Sequence, residues 1–373
     1  MIAARSHGYR GAMPARLVIA WLGSVALHAA AVAQTTLIVG PGFYPNVDSA
    51  VAAASPGDII RVLPGAYPSF AVNKGVTIHG SPGATFSGIF PPIANVPLGQ
   101  IAHFEGLQLP GLGVNGGTIS VDNCQIGPNG MSTTLGAVVV MQGCTIQVVA
   151  TLFPQPALGV TNSEVTLVDC SVVAISVNPL AAALPAIRVA NGRFRGSRLN
   201  VTGPPGTATL PGGAAIGGEL AHQVWVSDST LASGDPAVCA ITASTGRHDR
   251  CVLTPNCSAL ASGLVLGASR PLPLQNGVPW SAQFMAAPGM AIGVAAAPEF
   301  FAQSYVQLEQ SLLLPAASAF PLDVLVTDAQ GVATGTWSVP AGPLFVDRVV
   351  WLQGFTGFAY PLQASPLVGG VVR

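Results

Sequence analysis

The stretch Thr118-Ile119-Ser120-Val121-Asp122-Asn123-Cys124-Gln125-Ile126 constrains the fold of this chain more than any other, because versions of it recur downstream and can be laid over one another. With Cys124 as anchor, the copies fall at Leu107, Cys124, Cys144, Cys170, Ser197, Ser229 and Cys257. One position earlier stand Gly106, Asn123, Gly143, Asp169, Gly196, Asp228 and Asn256, residue types that tolerate left-handed backbone angles, so a tight corner is expected there. The position after the anchor is polar (Gln108, Gln125, Thr145, Ser171, Arg198, Thr230, Ser258), and the next is apolar from Leu109 through Leu199 to Ala259. Alternation with a period of two around a turn marks strands, not helices.

Such a unit cannot bury its own inner face. Stacking copies one strand spacing apart buries a continuous cylinder and pairs each backbone with the next coil. The expected fold is therefore all-β: a solenoid with parallel sheets whose surface loops vary in length. The competing architecture is a β-sandwich, which has no reason to repeat the same corner in register.

Composition agrees. Only 8% of the residues are charged, with 44 Gly, 32 Pro and one lysine, Lys74. Ordinary globular chains are about one quarter charged, and nucleic-acid-binding proteins cluster Lys and Arg. No nucleic-acid partner is expected. Residues 1–33 carry Arg5, Arg10 and Arg16, then an apolar run from Leu17 to Val32 and a small-residue site ending at Ala33, the pattern of a secretory leader cleaved before Gln34. A retained membrane anchor is the alternative, but the run is short and interrupted by His28. Without the leader, eleven basic residues stand against 15 acidic ones, and the mature chain is expected outside the cell or on its surface, as a monomer with no membrane span.

Six cysteines in an exported chain raise the question of disulfides. Cys124, Cys144, Cys170 and Cys257 share the inward anchor column with Ser197 and Ser229, a pattern of small buried residues, although Cys124 and Cys144 on neighbouring coils also lie within bridging reach. Cys239 and Cys251 fall outside the column and are the expected pair. No Cys or His spacing suggests zinc.

Ahead of the coils, Val47, Ala50, Val51 and Ala54 share one helical face with Asn46 placed to cap it, and turns at Ser55 to Asp58 and at Pro64-Gly65 lead into short strands. The helix is positioned to cover the open end of a solenoid core. A helix, then "ASPGDIIRVLPGAYPSFAVNKGVTIHG", then corner-anchored coils resembles the opening of secreted right-handed parallel β-helix proteins of the pectate-lyase-like superfamily, over about residues 40–265. The resemblance implies a right-handed solenoid. It leaves chemistry open, since the superfamily includes polysaccharide lyases, hydrolases, epimerases and proteins without activity.

After Leu264 the corner pattern stops at a break containing Pro271, Pro273 and Pro279. Short apolar runs divided by turns then suggest a small antiparallel β-sandwich. The expected organisation is leader 1–33, parallel β-helix 34–267 and C-terminal sandwich-like domain 268–373. Similar β-rich modules end many exported repeat proteins, and a sorting, attachment or capping role follows by analogy.

Clustered aspartates of the kind the resembled lyases use are missing: there is no Asp-Asp, Asn-Thr-Asp or Arg-Ile-Lys. Asp169 and Asp228 sit in the corner column with Asp122 beside it, where backbone geometry accounts for them. Gly111 to Gly116 matches GxGxxG with no helix to follow, so no dinucleotide is expected. The better candidates point outward. Counting four back from the anchors places Arg193 beside Trp225 on one exposed sheet, with Arg188, Arg195 and Arg198 adding positive charge, a surface suited to stacking a sugar and pairing with its carboxylate. The plain alternative is a solvated edge that discourages aggregation. The reading is a secreted, non-catalytic β-helix protein associated with polysaccharide or the cell surface, without cofactor. Its rivals are a polysaccharide lyase or glycoside hydrolase, with calcium only for a lyase, and a purely structural adhesion module.

Overall fold

The computed structural model describes residues 34–373 except 89, 151–154, 177–182, 208–209, 264, 270–274, 276, 299, 301–312, 315–318, 339–348, 358–361 and 373. The chain divides into two compact units, Met1–Thr35 and Thr36–Arg373. The expected leader and its cleavage site at Ala33 lie outside the described residues.

Three parallel sheets of 11, nine and seven strands form the walls of a right-handed β-helix, called here A, B and C. Each full coil runs along wall A, turns a corner into a short strand of wall B, and returns through wall C. One coil comprises Thr118–Asp122, Gln125–Ile126 and Met131–Thr134. Inward residues such as Ile119, Val121, Ile126 and Val139 make one continuous core. At its end lies the helix Val47–Ala53, buried on Val47, Ala50 and Val51, with the Asn46 side chain accepting the Ser49 N–H at 2.9 Å. Lys74, the one lysine, closes the other end of that helix by donating to the carbonyls of Val51, Ala52 and Ala54 at 2.8–3.0 Å.

From Gly106 onward the corner between walls A and B is left-handed, but the column differs from the expected one in two places. It reads Gly106, Asn123, Gly143, Asp169, Arg198, Asp228 and Arg250, with φ between 48 and 67°. The anchors behind the last coils are therefore Leu199 and Cys251, not Ser197 and Cys257, as the pairings of Ser171 with Asn200 and of Thr230 with Val252 require. Two arginines hold angles that usually go to Gly or Asn because each guanidinium pairs with the aspartate one coil earlier: Arg198 with Asp169 at 2.5 Å, Arg250 with Asp228 at 2.6 and 2.9 Å. Gly196 is a core position instead, where a Cβ would meet Leu199 Cδ1 at 2.4 Å.

The anchor thiols share one task. Cys124, Cys144, Cys170 and Cys251 each donate to the carbonyl two residues back at 3.2–3.3 Å, a group that also accepts the corner N–H of the preceding coil, and Ser229 does the same at 2.6 Å. All four thiols are free. The disulfide joins Cys239 to Cys257, Cα atoms 5.0 Å apart, which corrects the expected Cys239–Cys251 pair: with Cys251 committed to the anchor column, Cys257 is the sulfur left beside Cys239.

Past Ala261–Ser262, the last strand of wall A, pairing becomes antiparallel in two small sheets of three and five strands. They enclose Trp280, Phe284, Ile292 and Leu352, and their core also includes Val168 of wall A. Val140, on the same outer face, packs with Phe300, Leu313, Leu314 and Trp351. Gln142 exchanges two hydrogen bonds of 3.2 Å with the Gly369 backbone, and Ser197 Oγ accepts the Ala268 N–H at 3.1 Å. The C-terminal sheets thus cover the outside of wall A. Among the described residues no helix is long and apolar enough to cross a membrane.

Candidate functional site

Five expected site residues scatter over three surfaces. Arg188 lies on wall C, paired with Glu219 at 2.5 Å, a bond that raises its pKa, and Arg198 sits in the corner ladder. Trp225 corrects the expectation: it points outward but is only 4% exposed. The two-residue slip of the anchor also moves its neighbour, since Trp225 pairs in register with Arg195 while Arg193 pairs with Gln223. No exposed indole stands beside Arg193.

Arg193 instead opens onto a groove of about 710 Å³ at the corner where wall C turns into wall A. Its floor follows the first residues of successive wall A strands, Glu164, Arg193 and Gln223, and its rim the corner residues Asn162 and Asn191. That corner too is left-handed, through Gly116, Leu135, Asn162, Asn191 and Leu220, so both asparagines stand where the backbone favours them. The Arg193 side chain is 40% exposed, with Nε donating to Gln223 Oε1 at 3.1 Å and Nη1 lying 3.8 Å from Glu164. Beneath it Arg195, 2% exposed, holds Glu164 at 2.9 Å. Burial lowers the pKa of Arg195, Glu164 counters this, and Arg193 lowers it further. Two guanidiniums against one carboxylate leave the groove one positive charge in excess, carried by the partly exposed Arg193.

The remaining titratable groove residue is committed elsewhere. His222 Nδ1 lies 2.9 Å from the Leu220 carbonyl, and Nε2 accepts the Ser244 N–H at 3.1 Å, so both ring nitrogens are engaged by backbone. A second polar cluster occupies earlier coils of wall A: His79 and His103 lie 3.4 and 3.9 Å from Glu105, whose register neighbour is Asp122. Asp122, the last residue of its strand, is 4% exposed. Among the described residues no group of three or more His, Cys, Asp or Glu is arranged to hold a metal ion.

Sequence reasoning missed Glu164, Gln223 and the two asparagines. The signal was present: six positions before the true anchors Cys170, Leu199 and Ser229 stand Glu164, Arg193 and Gln223. Counting from Ser197 scattered that column.

The fold is similar to that in the crystal structure of pectate lyase Pel9A, with 10% sequence identity, a TM-score of 0.37, and coverage of 58% of this chain and 68% of that one. No protein-family model and no curated protein matches the chain.

Proposed function

We propose that this chain is a carbohydrate-associated β-helix protein that binds an acidic glycan without cleaving it, through the groove over Arg193. The observation that carries this reading is a half-exposed guanidinium, already oriented by Gln223, at the centre of a groove rimmed by Asn162 and Asn191. A carboxylate-bearing sugar takes charge-assisted hydrogen bonds from such a group, and the amides pair with its hydroxyls. Binding without cleavage is supported by the state of the reactive groups: Glu164 is engaged by two guanidiniums and both nitrogens of His222 by backbone. Secretion, with cleavage after Ala33, belongs to the same reading.

Calorimetric titration with uronate oligomers, with and without calcium, tests it while unsaturated products and reducing ends are followed. Binding without product is expected, and Arg193→Ala weakens it by at least about tenfold, the loss of one charged hydrogen bond. Unchanged affinity in that variant removes the groove from the reading. The rival enzymatic reading rests on the two neighbouring carboxylates Glu105 and Asp122 beside His79 and His103, since paired carboxylates are what acid–base cleavage of a glycosidic bond needs. Products that vanish in Glu105→Gln would establish it.

A further inference from the structure

The outer face of wall B carries no charge on any of its described strands. Its central column, in register from coil to coil, is Gln108, Gln125, Thr145, Ser171, Asn200 and Thr230. Ala66 and Thr85 extend it at one end and Val252 at the other. A second outward column, from Gln147 through Val173, Thr202 and Ala232 to Thr254, is also uncharged. Wall C by contrast carries Arg188 and Glu219, and wall A several ionic groups. Charge resumes at the edge of wall B, in the corner ladder of Asp169, Arg198, Asp228 and Arg250, where the four groups pair with one another. Nine strands at about 4.8 Å make this face some 38 Å long.

We infer that this face docks on a neutral, insoluble polysaccharide. Every Gln, Asn, Ser and Thr offers both a donor and an acceptor, repeated at the strand spacing, and the methyl groups of threonine, valine and alanine lie between them. A packed array of uncharged polyhydroxyl chains presents the complementary groups and asks for no counter-charge. A second copy of the chain fits less well: stable protein interfaces have apolar, aromatic-rich centres, whereas these columns contain no aromatic residue and end in their one large exposed apolar group, Val252. The inference is independent of the groove over Arg193, which opens on a different corner.

The full chain is mixed with washed microcrystalline cellulose, chitin and insoluble mannan, and its depletion from the supernatant is measured against a non-binding control protein. At least one of these solids is expected to deplete it saturably. Depletion should persist in about 1 M salt, where the screening length is about 3 Å, and resist competition by soluble uronate oligomers, which separates this face from the groove. The double variant Thr145→Lys, Asn200→Lys should lose at least tenfold in affinity while melting at the wild-type temperature. No depletion above the control, or full binding by the double variant, overturns the proposal. So does a wild-type chain that sediments as a dimer while the double variant sediments as a monomer, which assigns the face to a second copy.

Discussion

At the scale of the residue, the anchor thiols act as hydrogen-bonding groups first and as sulfur second. Burial pushes Cys124 from the ordinary thiol value of 9.0 up to about 12, with Asp122 among the groups that reinforce the rise and the Leu107 N–H opposing it. The neutral form is favoured in the folded state, so its contribution to stability is complete below pH 9 and is lost as the pH rises from 9 toward 12. Urea denaturation along that range should show Cys124→Ser losing less stability than the parent; Ser229 already plays the same part with a hydroxyl that accepts the Leu199 N–H at 2.9 Å. Leu135 and Leu220 call for the opposite treatment. Both hold left-handed angles, φ 57 and 56°, at positions 75% and 76% exposed. Asparagine, which stands between them in the same column, should stabilise the chain by about 1 kcal/mol at each site, read as a shift in denaturation midpoint. Legibility at this scale followed residue type. Asn123 and Asp169 announced corners because their side chains favour the angle, while Arg198 and Arg250 did not, since what lets them adopt it is an aspartate a full coil away.

At the scale of the element, the coil was readable from inside out. Alternation around Cys124 identified the strands, the corner and the inward column, and the turn signals at Ser55 to Asp58 placed the capping helix beside the first coil. Position along the column was lost where Gly196 looked like a corner and is a core residue vacated for Leu199. That slip of two residues put Trp225 beside Arg193 and hid the groove column. Cysteine pairing failed for a related reason: Cys251 is an anchor, and only the true register shows it. The bridge Cys239–Cys257 closes a loop of 18 residues at the last coil, where wall C is reduced to single contacts at Ile241. Reduction should therefore cost about 3 kcal/mol, measured by denaturation with and without reductant, and hydrogen exchange should rise first around residues 239–262.

At the scale of the whole molecule, the C-terminal sheets are a wall cover, an arrangement no local pattern encodes, because the contacting residues lie far apart in the chain and carry no shared motif. Val140 and Val168 have no exposed surface, and each contributes about 1.5–3 kcal/mol through a neighbour that belongs to the C-terminal sheets. A chain ending near residue 265 should bind a hydrophobic dye and sediment with larger assemblies, whereas an intact, monomeric truncation would show that wall A tolerates solvent. The bond between Gln142 and Gly369 spans 227 residues of sequence. At about 5–20 residues per second of synthesis, Gln142 is made roughly 10–45 s before Gly369. For that interval the half-made protein presents valines to its surroundings, so its yield in a cell depends on what shields a nascent chain.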